Sequence, residues 1–490
     1  MSKIKHSGQV FTPSYLVNEI LDIAGYSKNI RCRHIIDNSC GDGAFLTEIV
    51  SRYIQSFQLT CNDTEQLAVE LETYIHGIEL DEVAYDTCVA RLNQLVKNAN
   101  LRSIVWDIMN TDALAVDRYN SEMDFVVGNP PYVRVHNLEN NYQNVKSYEF
   151  AIHGMTDLYL VFFEIGLKML NADGTLCYIA PSSWINSVAG SNMRHYLLRT
   201  HSLDTVVDLE HFQAFDGVMT YTLIAKFVKG KTSPEFDYYR FNEKYLSKSF
   251  IDRLSIEDTM IDNVLMLGTK SAIEEYRMMK YSCFKKYASV KNGFATLADD
   301  VFINDEFAFN QYIIPIIKAS TGKWRKAIYP YNKQGKPISK QSLFQNEIIK
   351  SYFEDYKKIL LKGNNENENQ EWYLYGRTQA LKDVWKDKWS INTVIKDVSS
   401  IKLNFVPSGS GVYSGLYIIT KAGEEVLRNI ILSEEFIHYV ALLKKYKSGG
   451  YYTFNTRELE LYINFKLNEY YNSHKNDDKP TILDGNPTLF

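Results

Sequence analysis

The sequence predicts an α/β fold with a mostly parallel sheet covered by helices on both faces, followed by a domain of mixed α+β structure. Two observations predict the sheet: apolar, strand-like runs alternate with helical patterns through residues 1–230, and the first run ends in a glycine-containing turn that opens a helix. The alternation stops after residue 230, which predicts a second domain. Residues 229–235 combine Gly, Ser and Pro like a linker, so the predicted domains are residues 1–235 and 236–490.

Each element of the first domain follows from its pattern of apolar residues. Short runs rich in Ile, Val and aromatic residues predict strands, and longer periodic stretches predict helices. The predicted strands are residues 33–37, 74–79, 103–106, 123–128, 174–180, 205–209 and 220–228. The predicted helices are residues 44–53, 82–96, 158–170 and 191–200. Residues 55–73 exceed what a bare strand–helix–strand unit requires, and we interpret them as an insertion.

Length and composition set the broad class of the protein. A chain of 490 residues exceeds one ordinary core, and 45% hydrophobic with 23% charged residues is typical of globular domains. No apolar run is long enough to span a membrane and no charged-plus-apolar leader opens the chain, so we expect a cytoplasmic protein that binds no membrane. The six cysteines form no CxxC pair, which argues against a zinc site.

The charge of the chain is unevenly distributed. Residues 1–230 contain 17 basic and 27 acidic residues, whereas residues 231–490 contain 37 and 32. Residues 318–340 have seven basic residues and no acidic one, interleaved with Trp324, Tyr329 and Tyr331. This composition suits a surface that contacts phosphates, and it suits a solvated loop equally well. The basic residues are Lys318, Lys323, Arg325, Lys326, Lys333, Lys336 and Lys340.

The strongest chemical signal is the tetrapeptide Asn-Pro-Pro-Tyr at residues 129–132, directly after a predicted strand. Proline disfavours a helical conformation in the residue before it, so Asn129 and Pro130 are expected to be extended. The side-chain carbonyl of Asn129 and the backbone carbonyl of Pro130 can then face the two hydrogens of one amino group. Tyr132 can stack on the flat ring that bears this group. The motif predicts an amino-substituted planar substrate such as adenine; the alternative is a proline turn after a buried strand.

A second group of residues predicts a pocket at the carboxyl ends of the strands. Residues 37–43 place an acid before a Gly-x-Gly turn, unlike the GxGxxG of a dinucleotide site, and the acid suits a ligand with an ammonium group. Glu79 closes the second strand and can accept both hydroxyls of a ribose. Asp112 can accept from an adenine amino group, with Leu80 and Leu114 against the ring. Each acid alone is more often a cap or loop residue, but together they describe a site for an amino acid, a ribose and an adenine.

The order of these motifs resembles that of S-adenosylmethionine-dependent methyltransferases, specifically the gamma-class, TaqI-type N6-adenine DNA methyltransferases of type II restriction–modification systems. The resemblance covers about residues 1–230 and includes an early Phe-Thr-Pro motif, residues 11–13, placed before the glycine turn. It implies a Rossmann-like methyltransferase sheet and S-adenosyl-L-methionine as the cofactor. The positions that match the cofactor site are Phe11, Thr12, Asp37, Cys40, Gly41, Glu79, Leu80, Asp112 and Asn129.

The resemblance also implies a reaction. Asn129, Pro130 and Tyr132 match the clamp on the target amine, and Phe215 matches a second ring against the extruded base. We expect direct methyl transfer to N6 of an adenine flipped out of duplex DNA, without a metal or a covalent intermediate. His136 and His153 are interpreted as surface residues rather than as a general base.

The second domain is expected to be the target-recognition domain. Residues 290–304 and 373–379 resemble parts of such domains in this family. The residues expected to bind DNA are Lys318, Lys323, Trp324, Arg325, Lys326, Lys333 and Lys336. The recognition sequence itself depends on loop geometry and is not predicted.

Two other enzyme classes fit the clamp motif. Enzymes that methylate guanine amines in RNA or glutamine amides in proteins share it, but they usually lack the early Phe-Thr-Pro motif and a long basic second half. A modification subunit that needs a separate specificity subunit would carry a helical domain before the cofactor motif, which here begins within ten residues of the start. A non-enzymatic DNA-binding role is disfavoured because every expected polar site residue is present. We therefore expect a monomer that binds double-stranded DNA, and a separately encoded restriction endonuclease is left open.

Overall fold

The computed structural model describes residues 11–135, 145–215, 217, 220–362 and 371–474. The chain forms two compact units, Met1–Glu274 and Glu275–Phe490. The division lies later than the predicted boundary between residues 235 and 236, because two further strands belong to the first unit. This division does not test the predicted functions, cofactor binding by the first part and DNA recognition by the second. Among the described residues, no helix is both long enough and apolar enough to cross a bilayer.

The N-terminal unit is built on one nine-stranded sheet. Its strands, β1 to β9 in chain order, are Ile35–Asp37, Ile75–Glu79, Asp107–Asn110, Met123–Gly128, Leu170–Pro181, Leu203–Asp208, Thr222–Val228, Glu235–Asn242 and Ser247–Ser255. They lie in the order β3-β2-β1-β4-β5-β7-β6-β8-β9, and only β7 and β9 run antiparallel to their neighbours. The mostly parallel sheet is therefore confirmed. Its parallel strands end at one side, called here the carboxyl edge, where Asp37, Glu79, Asn110 and Gly128 close β1 to β4.

Helices complete the N-terminal unit. In chain order, α1 to α8 are Ser14–Ala24, Ala44–Gln58, Thr64–Tyr74, Glu82–Asn98, Leu158–Met169, Ser191–Thr200, Ile256–Thr259 and Lys270–Tyr281, and the unit boundary falls inside α8. The aspartates Asp63 and Asp81 cap α3 and α4 by accepting hydrogen bonds from first-turn amides, as N-cap residues do. Apolar side chains of α1 and α2 pack with β1 and β2 in one buried core.

Two predicted features of this unit need correction, the strand at residues 103–106 and the linker at 229–235, while the segment interpreted as an insertion has helical structure. The predicted strand at residues 103–106 is wrong, because side chains hold this segment instead: Glu72 accepts from the amide of Val105 at 2.9 Å, and Trp106 donates to Asn93 at 2.9 Å. The insertion at residues 55–73 contains the end of α2 and most of α3. The supposed linker at 229–235 joins β7 to β8 inside one sheet, since β8 pairs in parallel with β6.

The hairpin of β8 and β9 forms the outer margin of the sheet. β9 is the last strand in the order, and the pairing of the two strands contains a register shift between Tyr238 and Tyr239. The outer strand has charged residues along its length, including Lys248, Asp252 and Arg253. A two-stranded sheet of β10 (Met260–Ile261) and β11 (Val264–Leu265) follows it.

The C-terminal unit has mixed α and β structure, as predicted. Its strands β12 to β22 are Ala288–Asn292, Ile303–Asn304, Ile313–Lys318, Lys323–Ile328, Lys388–Ile391, Val394–Ile395, Asn404–Val406, Gly411–Tyr413, Leu416–Thr420, Tyr446–Lys447 and Tyr451–Thr453. They form two four-stranded sheets, β12-β20-β16-β18 and β13-β15-β14-β19, and a three-stranded sheet, β17-β22-β21. Helices α9 to α14 are Asp299–Phe302, Lys340–Leu343, Glu347–Lys362, Glu424–Ile431, Glu434–Leu442 and Thr456–Ser473.

Candidate active site

The glycine turn after β1 is shaped by backbone hydrogen bonds at the carboxyl edge. The amide of Cys40 donates to the carbonyl of Ile78 at 3.0 Å, and the amide of Gly43 donates to the carbonyl of Cys40 at 2.9 Å. Gly43 has φ +86°, and a Cβ there would lie 2.7 Å from the sulfur of Cys88, so glycine is required at the start of α2. Cys40 itself is buried, and it therefore shapes the turn through its backbone.

Glu79 holds this turn in place. Its carboxylate accepts from the amide of Gly41 at 2.7 Å and from the amide of Asp81 at 2.8 Å. Asn110, which was not among the predicted site residues, ties the ends of β2 and β3 together by donating to the carbonyl of Glu79 at 3.0 Å. The predicted ribose acid is thus also the residue that fixes the glycine turn.

Asp37 is almost fully buried at the end of β1. One of its carboxyl oxygens accepts from the amide of Ser39 at 3.0 Å. Burial raises the pKa of Asp37 to about 8, and the nearby charge of Glu79 adds to the increase. The carboxyl group is therefore mostly protonated at neutral pH. The expectation that Asp37 faces a cationic ligand as an anion requires it to lose this proton when such a ligand binds.

Gly128 lets the end of β4 approach Asp37. It has φ +149°, and a Cβ built on it would lie 2.7 Å from a carboxyl oxygen of Asp37. Any side chain at this position would therefore collide with the buried acid. Gly128 was not among the predicted site residues, although its position directly before Asn-Pro-Pro was a usable signal.

Asn129 lies where β1, β4 and the N-terminal segment meet. Its amide nitrogen donates to the hydroxyl of Thr12 at 3.2 Å, and the hydroxyl of Ser39 donates to its backbone carbonyl at 3.4 Å. The contact with Thr12 orients the side-chain amide, so that the carbonyl end is the one that can accept from a substrate. Thr12 is buried, whereas Phe11 beside it is 70% exposed. The structure thus brings the early motif, the glycine turn and the clamp together.

Tyr132 and Phe215 lie next to each other, but not as two parallel faces. Their ring centroids are 6.0 Å apart with an interplanar angle of 68°, which is an edge-to-face contact. Tyr132 donates to the carbonyl of Ile179 at 3.3 Å, and burial raises the pKa of its hydroxyl well above the ordinary value. Phe215 is only 4% exposed. In this arrangement the two rings leave no slot for a base between them, so Phe215 must shift if a base is to stack there.

The predicted adenine side of the pocket is more open. Asp112 accepts from the amide of Leu114 at 2.9 Å and is partly exposed. Leu80 is 70% exposed at the end of β2. Large exposed apolar side chains are common singly, but Leu80 and Phe11 both flank the carboxyl edge where a ligand would cover them. His153 is exposed, as interpreted from the sequence, and His136 lies outside the described residues.

The basic residues predicted to bind DNA lie on the antiparallel strand pair β14–β15 of the C-terminal unit and on the turn that follows β15. Lys318 ends β14, whereas Lys323, Trp324, Arg325 and Lys326 belong to β15. Lys333 and Lys336 lie on an exposed turn after β15. Arg325 pairs with Asp305 at 2.7 Å, and Trp324 is 46% exposed.

The interleaved tyrosines of this stretch are not on the surface. Tyr329 is buried and donates to the carbonyl of Leu381 at 2.7 Å, while Tyr331 is buried and accepts from the amide of Tyr375 at 2.8 Å. Their interpretation as surface aromatics is wrong, because their hydroxyls find partners inside the unit. Tyr373 and Tyr375, within a segment that resembles a target-recognition domain, are core residues too.

Comparison with known proteins supports a common origin with modification enzymes. Residues 49–215 match the family model described as Eco57I restriction-modification methylase. The type II methyltransferase M.BstVI of Geobacillus stearothermophilus is 25% identical over 422 residues, covering 75% of this chain and 73% of that protein. M.XhoI of Xanthomonas vasicola is 31% identical over 228 residues, covering 44% of this chain and 41% of that protein.

Other relatives are considerably longer than the matched part. The restriction enzyme and methyltransferase RM.Eco57I of Escherichia coli is 23% identical, and the match covers 82% of this chain but 51% of that protein. The chain thus spans about half the length, or less, of several relatives that it matches.

The fold has a counterpart among solved structures. The type IIL restriction-modification enzyme MmeI, solved in complex with DNA, superposes with a TM-score of 0.58 at 15% identity, over 92% of this chain and 64% of that one. Taken together, the comparisons show that residues 49–215 match the Eco57I restriction-modification methylase family and that the chain has homologues among type II methyltransferases.

Proposed function

We propose that this chain transfers a methyl group from S-adenosyl-L-methionine to N6 of an adenine extruded from duplex DNA, as the modification enzyme of a restriction–modification system. One observation supports this proposal most strongly. Asn129 follows directly on β4, is oriented by Thr12, and lies beside the buried Asp37–Ser39 turn. These contacts support a role of Asn129 as an acceptor for an amino group next to the predicted ligand pocket.

The residues at the carboxyl edge fit the proposed cofactor. Its ribose has two hydroxyl donors, and Glu79 is an acceptor held at the end of β2 by two backbone amides. Its adenine needs apolar cover and an acceptor for its amino group, which the exposed Leu80 and the partly exposed Asp112 supply. Its ammonium group needs an acid, and Asp37 is the candidate that the pattern of an acid before Gly-x-Gly indicates. When bound, the cofactor supplies an electrophilic methyl group on a sulfonium centre.

The protein's own part in the reaction is to position one nitrogen. The lone pair of adenine N6 is delocalised into the ring, so the amine is a poor nucleophile. The side-chain carbonyl of Asn129 and the backbone carbonyl of Pro130 draw the two N–H bonds towards themselves. This favours a tetrahedral nitrogen whose lone pair points at the methyl group, and the methylated nitrogen would then release one N–H proton to solvent. Positioning of this kind accounts for much of the rate enhancement.

Tyr132 and Phe215 hold the base in the proposed complex. Extrusion of a base costs a few kcal/mol, and stacking on an aromatic ring returns about 1–3 kcal/mol per base. The hydrogen bond from Tyr132 to Ile179 fixes its ring, so Phe215 is the ring that moves. The edge-to-face contact of the two rings keeps both side chains covered before the base arrives.

The experiment that tests the function is expression of the chain in a host that lacks DNA methylation, followed by single-molecule sequencing. We expect N6-methyladenine at one recurring sequence motif. The matched control is the same host with the Asn129→Ala variant, in which the motif should be unmodified. Methylation of cytosine only, or no modified base despite soluble protein that binds the cofactor, would refute the proposal.

A further inference from the structure

We propose that a loop cluster around Trp385 in the C-terminal unit is a contact site for duplex DNA. This Trp385 cluster consists of residues 332–336, 381–388 and 407–410. In it, the exposed part of the indole packs against a duplex while Lys333 and Lys336 bind phosphates. The inference rests on the proposed function, because it takes duplex DNA as the substrate. Trp385 was not among the residues that sequence patterns indicated.

The three loops of the cluster are joined by specific contacts. The amide of Gly409 donates to the carbonyl of Val384 at 3.0 Å, and the amide of Ser408 donates to the carboxylate of Asp387 at 2.8 Å. The turn at 332–336 packs on the second loop so closely that a Cβ on Gly335 would lie 2.9 Å from the amide nitrogen of Lys382. The loops therefore form one surface rather than three independent ones.

A buried lysine, Lys388, fixes the loop at residues 381–388 from inside the unit. Lys388 is 3% exposed and donates to the carbonyls of Asp383, Val384 and Lys386 at 2.9, 3.2 and 2.8 Å. Burial lowers the pKa of its ammonium group to about 8. Three carbonyls on one cation hold the loop in its shape before any ligand binds. A preorganised loop loses little conformational entropy on binding, which favours affinity.

A second ionic group supports the same loop. The buried carboxylate of Asp383 accepts from Lys291 at 2.7 Å, from Lys386 at 2.8 Å and from the hydroxyl of Tyr417 at 3.0 Å. These partners, above all Lys291, lower the pKa of Asp383 to about 2 against the opposing effect of its burial. The acid is therefore charged at all relevant pH values, and its charge is balanced inside the unit.

Trp385 is the aromatic residue of this cluster. Its side chain remains 37% exposed, and the ammonium nitrogen of Lys333 lies 5.3 Å from the ring centroid, within the range of a cation–π contact. The backbone of Gly409, with φ +90°, lies against the six-membered ring of the indole. A Cβ on Gly409 would be 3.4 Å from Cζ3 of Trp385. In the part of the chain that the structure describes, the indole N–H has no acceptor. An indole N–H without an acceptor among these residues can donate to a polar ligand.

The charge of the cluster selects a polyanion as that ligand. Its loops carry five lysines and two aspartates, and one of the aspartates is the buried Asp383. Lys333, Lys336 and Lys382 are exposed, and none pairs with a carboxylate within the described ranges. Exposed lysines around an aromatic ring are the combination that contacts the phosphates and sugars of nucleic acid.

The test is a fluorescence anisotropy titration of the full-length protein with a mixed-sequence duplex at several salt concentrations. Lys333→Gln should reduce the slope of log affinity against log salt by about one, as expected for one lost phosphate contact. Trp385→Leu should weaken binding about tenfold, and Trp385→Phe should weaken it less. Lys421→Gln removes an exposed lysine outside the cluster and should leave both quantities unchanged.

Two further measurements make the outcome unambiguous. Urea unfolding of each variant separates loss of contact from loss of fold, and Lys333→Gln provides the test if Trp385→Leu does not fold. Unchanged affinity and unchanged salt slope in Lys333→Gln would overturn the proposal. The proposal would also be overturned if the variants lost as much affinity for single-stranded RNA as for duplex DNA. Methyl incorporation by the parent protein is assayed separately. Its absence alongside altered binding would refute the proposed reaction and leave the DNA contact standing.

Discussion

Asp37 shows how one residue can link ligand binding to protonation. It is buried beside Glu79, and its pKa of about 8 means that the acid is mostly neutral in the unliganded protein at pH 7. A cation bound nearby would favour the charged form and release a proton. The pattern of an acid before Gly-x-Gly identified the residue. It did not reveal the protonation state, because that depends on burial and on a neighbour 42 positions away in the sequence.

The free energy of unfolding should reveal this proton. The folded-state pKa of Asp37 lies above the unfolded value of about 4, so between about pH 4 and pH 8 the folded state keeps a proton that the unfolded chain has lost. Stability therefore falls as the pH rises through this window, by on the order of 5 kcal/mol in total. Asn cannot ionise but still offers an oxygen to the amide of Ser39. We expect Asp37→Asn to gain stability over the parent as the pH rises from 5 to 8, measured by urea unfolding at each pH. Parallel curves for the two proteins would contradict the assigned protonation.

Asn129 should be indispensable for transfer but not for cofactor binding. Asn129→Ala removes the oriented acceptor, and the loss of one such polar group typically costs about a hundredfold to a thousandfold in rate. Radiolabelled methyl incorporation measures the rate, and isothermal calorimetry with the cofactor measures binding. The control is Asn98→Ala at the exposed end of α4. Turnover close to that of the parent in Asn129→Ala would remove the basis for the clamp.

At the scale of elements, the meeting of β1 and β4 determines the geometry of the site. Strand β4 was predicted with its observed bounds because Met123–Gly128 is an apolar run ended by prolines. The strand predicted at 103–106 failed because Glu72 and Asn93, which are distant in sequence, provide the hydrogen-bond partners there. Periodicity predicts which segments are apolar. It does not predict which polar side chain will replace a neighbouring strand.

Gly128 provides a test of this meeting point. Gly128→Ala introduces a Cβ 2.7 Å from the carboxyl oxygen of Asp37 and strains the backbone at φ +149°. We expect a loss of more than about 2 kcal/mol in the free energy of unfolding, since backbone strain alone costs of order 1–3 kcal/mol. Gly25→Ala is the matched control, because Gly25 also has a positive φ but nothing within 4 Å of its Cβ position.

A double-mutant cycle separates the collision from the backbone strain. In an Asp37→Ala background the carboxyl group is gone, so Gly128→Ala should cost less than it does in the parent. The difference measures the contact between β1 and β4. An equal cost in both backgrounds would show that the approach of the two strands is not tight.

At the scale of the whole molecule, the two compact units carry opposite charge. The N-terminal unit has 23 basic and 35 acidic residues, and the C-terminal unit has 31 and 24. The contrast was visible in the sequence, and it becomes sharper when the boundary is moved to residue 274. That boundary was not predicted, because β8 and β9 pair with strands of the first unit rather than forming a new core. The Gly-, Ser- and Pro-containing segment before them proved to be an ordinary loop within a sheet.

The charge contrast predicts different salt sensitivities for the two ligands. Each phosphate contact contributes about −0.9 to the slope of log affinity for duplex DNA against log salt concentration. We expect a slope steeper than about −4 for DNA and a nearly flat dependence for the cofactor, because the two acids proposed to bind it, Asp37 and Glu79, are buried. At salt concentrations between roughly 50 and 400 mM, fluorescence anisotropy measures the affinity for DNA and calorimetry measures the affinity for the cofactor. A flat dependence for DNA would contradict an electrostatic role of the C-terminal unit.

The outermost strand of the nine-stranded sheet, β9, affects the tendency of the protein to aggregate. An uncovered, regular strand at the margin of a sheet is a template on which another polypeptide can add, and this is a common route to aggregation. β9 combines a register irregularity with Lys248, Asp252 and Arg253, so an approaching copy would meet mismatched amides and charges. Self-templated growth of fibres from this margin is thereby disfavoured.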